Sequence, residues 1–226
     1  MSFELAVWHE PEPITRERAR DVFQAARHAE PGGVPARAGE RLDRPTTPDE
    51  TPGKAEAAER HPGVAAFTER LPGAERLSPG LVLVTLPPER ADEESAEVFA
   101  LAAECGLVCY DPQRHLVHNR EPRGVHPAME MRTGDGMIVV DPDLRLVSDA
   151  LTTLSPQNPF MALVVFGEHF VQTSPELSGY ELEYRDSVRG RMFRTHVPDL
   201  AAVQEAFAEY ATGGRAFLER HDWRLV

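Results

Sequence analysis

Between residues 159 and 210 the hydrophobic pattern changes period several times, and each change marks an element. Phe160–Phe166 is almost wholly apolar, the pattern of a strand buried on both faces in a central place. His169–Thr173 and Arg191–Val197 are short mixed runs. Tyr180–Arg185 alternates strictly, with Tyr180, Leu182 and Tyr184 on one side and Glu181, Glu183 and Arg185 on the other. Successive strand side chains point to opposite faces, so this run predicts one buried and one wet face. Leu200, Val203, Phe207 and Tyr210 then recur at helical spacing behind Asp199, an N-cap residue, and Gly213-Gly214 ends the helix. The stretch reads as a four-stranded antiparallel meander closed by a helix.

The first half reads differently. Ser2–Trp8 is a strand, and a helix capped by Thr15 follows over about 16–28, with Ala19, Val22, Phe23 and Ala26 in its stripe. Residues 30–58 hold five prolines and only Val34 and Leu42 as large aliphatics, the composition of a flexible insertion. A short helix opens at Pro62. Leu81–Leu86 (LVLVTL), a helix over 91–105 and Leu107–Tyr110 (LVCY) then form a strand–helix–strand unit with a right-handed crossover, resembling a split ferredoxin-like sheet. Glu121-Pro122-Arg123-Gly124 reads as a boundary between residues 1–120 and 121–226. Beyond it, Asp135-Gly136 turns a hairpin into Met137–Val140, and Asp141 or Asp143 caps a helix through Leu154. The predicted class is α+β in two small subdomains.

Composition narrows the function classes. The 226 residues carry a formal net charge of −13, spread over both halves. Such a body repels phosphate backbones and anionic lipid, so neither nucleic acid nor a membrane surface is an expected partner, while a basic protein is attracted. No apolar run approaches the ~18 residues of a membrane span, and the opening MSFELAVWHE lacks the layout of a secretory leader. The expected compartment is the cytoplasm.

Candidate chemistry is sparse. Cys105, Cys109, His115 and His118 bring zinc to mind, yet their spacing fits no standard finger, and no metal or other cofactor is expected. No hydrolase elbow, zinc-protease or phosphate-loop motif occurs, so no catalytic residue is assigned. Tyr110–Gln113 lies at a strand end, where Asp111, Gln113 and His115 would form a small-ligand or hydrolytic site. The alternative reading of Asp111 is a turn residue bonding backbone amides. In the meander, Glu168, Glu176, Glu181, Glu183 and Asp186 offer carboxylates to the Arg and Lys of a partner.

SFELAVW (2–8), AAECGLVCYDPQ (102–113) and FVQT…GYELEYRD…FRTH (170–196) together resemble a group of uncharacterised actinobacterial proteins similar to immunity proteins of polymorphic-toxin systems. The likeness covers about two thirds of the chain and skips 30–58. It implies a non-enzymatic inhibitor of a basic toxin, with no catalytic residues to transfer. The polar, proline-rich insertion and Cys105 depart from the pattern.

Overall fold

The computed structural model describes residues 2–28, 61–166 and 169–226. The expected insertion at 30–58 and Glu168 lie outside the described residues. The architecture is α+β, built from helices and two sheets whose strand pairings are all antiparallel.

The first sheet has the order β2-β3-β1-β4-β5, where β1 is Phe3–Trp8, β2 Glu75–Ser78, β3 Leu81–Leu86, β4 Val108–Asp111 and β5 Leu116–His118. β1 pairs antiparallel with β3 (Leu5 opposite Val84) and with β4 (Ala6 opposite Tyr110). β3 and β4 therefore run parallel with β1 between them. The connecting helix, α3 (Ala91–Glu104), stops where Gly106 takes a left-handed φ of 71°. Both faces of β1 are used. Leu5 and Val7 face α2 (Pro62–Arg70) and α3, whereas Ala6 and Trp8 face α1 (Arg16–His28) through Ala19 and Phe23.

The second sheet has the order β12-β11-β10-β9-β8-β6-β7. Its strands are β6 (Glu130–Thr133), β7 (Ile138–Val140), β8 (Met161–Val165), β9 (His169–Glu176), β10 (Gly179–Asp186), β11 (Arg191–Val197) and β12 (Arg224–Leu225). The expected meander is the run β8 to β11, and its apolar first strand is interior, between β9 and β6. The Asp-Gly hairpin joins β6 to β7. Three helices carry the N-caps read from the sequence, the first being α1, where Thr15 Oγ1 accepts from Arg18 N at 3.2 Å. Asp143 accepts from Leu146 N at 2.9 Å to start α4 (Leu144–Leu151), and Asp199 accepts from Ala202 N at 2.9 Å to start α5 (Leu200–Ala211). One buried cluster joins the α2/α3 side of the first sheet to the inner face of the second, running from Leu5 and Phe99 to Leu163, Leu182 and Phe207.

Candidate functional site

Strand register sorts every residue of the second sheet onto one of two faces. Met131, Val139, Leu163, Val171, Leu182 and Val197 share the inner face and all belong to the core that holds α4 and α5. The other face carries Ile138 and Val140 on β7, Glu130 and Arg132 on β6, Ala162 and Val164 on β8, and Phe170 and Gln172 on β9. It continues with Glu181, Glu183 and Arg185 on β10, then Met192, Arg194 and His196 on β11 and Arg224 on β12. None of its apolar residues belongs to, or packs against, either buried cluster. The face is open among the described residues.

It divides into two halves. Toward β7 it carries apolar side chains around one ion pair: Ile138 is 42% and Val140 55% exposed beside the paired Glu130 and Arg132 of β6, with Val164 and Phe170 half-buried further in, while Met192, also half-buried, lies on β11. Toward β12 it is charged, and its carboxylates are partnered within the chain. Arg194 bonds Glu183 through Nη2 at 2.6 Å and Glu181 through Nε at 3.1 Å. Gln172 Nε2 donates to the second Glu183 oxygen at 3.1 Å. His196 Nδ1 lies 2.8 Å from Glu176 and its Nε2 lies 3.0 Å from Ser178 O. A depression of ≈630 Å³ opens at this end, between Glu181, Arg194, His196, Arg220 and Arg224.

The carboxylates named from the sequence are thus partly regrouped. Glu176, Glu181 and Glu183 do share one face. Asp186 falls on the opposite register at the strand end, 3.7 Å from Arg189 Nη1. Glu183 needs a correction: it stands on the expected face but is 6% exposed, not wet. Its two-carbon stem is short, and Gln172 and Arg194 on the flanking strands lie over it. Tyr184 and Leu182 are buried as expected, and Tyr180 packs half-buried against the core. Met137–Val140 reads from sequence as a short strand, and its position at the edge of the sheet exposes Ile138 and Val140.

The strand end at Tyr110–Gln113 is arranged around Asp111, which is 0% exposed. Its Oδ1 accepts from Gln113 N at 2.9 Å, Gln113 Nε2 at 3.0 Å and Arg114 N at 3.0 Å, while Oδ2 faces Arg114 Nη1 at 3.1 Å. Burial nevertheless raises the Asp111 pKa, against the pull of Arg114 and the amide donors. Arg114 continues to Asp135 in the β6–β7 turn (2.8 Å) and to Asp92 on α3 (3.1 Å), and its guanidinium lies over the Phe3 ring. Gln113 also bridges to the Glu4 backbone. His115 turns away at φ 53°, its Nδ1 2.9 Å from the Tyr110 hydroxyl. The group clamps the β4–β5 turn to β1, α3 and the second sheet.

Cys109 and His118 are opposite one another across β4 and β5, whereas Cys105 caps α3. Among the described residues no three His, Cys, Asp or Glu side chains are placed to hold a metal ion, and no helix is long and apolar enough to cross a membrane. No protein-family model matches the chain, and comparison with curated proteins and with solved structures finds no match.

Proposed function

We propose that this chain is a non-enzymatic protein-binding module that docks a partner on the open face of its seven-stranded sheet. In this reading residues 121–226 supply the docking sheet. Residues 1–120, as a split ferredoxin-like unit, brace it from the side of α3. The observation that carries the reading is a sheet face whose apolar residues belong to neither core. Exposed apolar surface beside charged residues is the mark of an interaction site.

The size is adequate. Strands of two to eight residues, at ~3.3 Å per residue and ~4.8 Å between strands, give the face roughly 600 Å². That approaches the ~800 Å² per partner of a standard interface. The carboxylates of the face are neutralised within the chain, so they hold register at its rim. The −13 body steers a basic partner at longer range, and the apolar side chains of the face make the contact. An immunity-type inhibitor covering the cleft of a basic toxin fits both requirements.

The test is affinity capture from the native host with the wild-type chain and with an Ile138→Arg/Phe170→Glu variant, each checked for an unchanged melting profile. A basic protein retained by the wild type and lost by the variant is the expected result. Equal recovery by both moves the interface off this face. Capture of no basic protein, with unimpaired growth of a deletion strain beside toxin-producing kin, removes the inhibitor reading.

A further inference from the structure

His118 closes β5 beneath α3. It is 7% exposed and its ring stacks on Phe99, with centroids 3.7 Å apart and 17° between planes. Neither Nδ1 nor Nε2 has a hydrogen-bond partner among the described residues. An unpaired buried polar atom is costly, and here one imidazole leaves both nitrogens vacant.

The ring borders a recess of ≈60 Å³, walled by Phe99, Ala100, Val139 and Leu146. Asn119 and Arg123 line both this recess and an outer cleft of ≈620 Å³, which holds Arg120 as well. Asn119 is occupied, bonding both backbone groups of Ile14. Asp143, at the recess margin, already accepts from Leu146 N and Asn119 N. Of the buried polar side chains that line the recess, His118 is therefore the one left with nothing to bond among the described residues.

We propose that this recess is a subsite for a small uncharged head group, a hydroxyl or a carboxamide, that hydrogen-bonds His118 while the rest of its molecule extends into the outer cleft. A neutral imidazole offers one donor and one acceptor, which a hydroxyl or amide can meet from either side. A carboxylate only accepts and an ammonium only donates, and either would be stripped of water against apolar walls. Burial keeps the imidazole neutral, with its pKa pulled down to about 3. A water molecule's share of liquid is ~30 Å³, so the recess takes about two such groups and not a whole metabolite.

The experiment follows the His118 ring nitrogens by long-range ¹H–¹⁵N NMR on the full chain. Acetamide and 2-propanol are titrated to about 100 mM, the range suited to such small ligands, with methylammonium and acetate as charged comparators. A saturable shift with acetamide or 2-propanol, absent with both ions, is the expected result. Ala100→Leu, at an exposed position on the wall, fills the recess and should abolish the response while His118 stays in place. His118→Phe keeps the stack and removes both nitrogens, and there the Asn119 amide should cease to respond. No saturable shift at His118 leaves only ordered water in the recess and overturns the proposal. An equal response to either ion, or one that survives Ala100→Leu, overturns it as well.

Discussion

Arg194 on β11 reaches across to Glu183 on β10 and places Nη2 2.6 Å from a carboxylate that is itself buried. Arg194 remains half-exposed, so water screens its side of the pair. Truncating it leaves Glu183 with Gln172 alone. Arg194→Ala should destabilise the fold, by less than the loss of a fully buried pair. Glu183→Gln in that background should recover part of the loss, because a buried amide costs less than an unpaired carboxylate. Urea denaturation of the four-membered cycle measures the coupling. A cycle with no coupling would show that the pair only decorates the face.

The Arg114 clamp is drier. Arg114→Ala strands Asp111 as a buried charge and frees Asp135, at an expected cost of about 3 kcal/mol or more. Arg114→Lys should not restore it, since a single ammonium cannot fork to three carboxylates. Asp111→Asn added to Arg114→Ala should recover stability. Thermal melts of the three variants decide the matter.

His118 and Asp143 respond to acid in opposite senses. The folded His118 pKa is about 3 against 6.5 unfolded, so its contribution is present above pH 6.5 and is lost progressively as pH falls to 3. The folded Asp143 pKa is raised by burial to about 6 against 3.8, so acid protonates it more readily in the fold and adds stability between 6 and 4. Across pH 6 to 4 the two effects oppose, each near 1.4 kcal/mol per pH unit. Read against wild type, His118→Phe should gain stability as pH drops through that window, and Asp143→Asn should lose it. Denaturation midpoints at pH 6.5, 5.5 and 4.5 check both signs. Parallel curves for all three proteins would refute the opposition.

Gly179 opens β10 at φ 134°, and a Cβ there would run into the Val197 carbonyl on β11. Gly179→Ala should destabilise by about 1–3 kcal/mol through backbone strain and displaced pairing. Gly190, also at positive φ but with open space around it, should tolerate alanine better. Melting temperatures of the two variants give the comparison.

The sequence made much of this readable wherever the signal is local. Alternation through Tyr180–Arg185 assigns two faces correctly, and Asp143 and Asp199 cap helices because an aspartate side chain bonds amides three residues on. What lay hidden is set by neighbours distant in the chain. Periodicity assigns Glu183 a face but not the Gln172 and Arg194 side chains that bury it. Ile138 and Val140 sit in a strand that the sequence predicts, but only the sheet order makes β7 an edge that exposes them. β2 and β12 are too short and polar to announce themselves, and both exist because a partner strand supplies the ladder. From sequence Asp111 reads as a ligand or as a turn residue. The donors around its carboxylate include its own turn, and the Arg114 that completes them is held by residues from β7's turn and α3.

β1 lies between β3 and β4, so Ala6 finds Tyr110 only after more than a hundred intervening residues have been made. On the ribosome β1 must stay unpaired on one side until β4 arrives. Its apolar side chains are buried on both faces in the fold, Leu5 and Val7 on one and Ala6 and Trp8 on the other. Long-range pairing of this kind slows folding and leaves strand edges open to association. The chain therefore stands to gain from whatever shields its nascent N-terminal strand, and refolding from denaturant should be slower and more concentration-sensitive than its short strands alone would suggest.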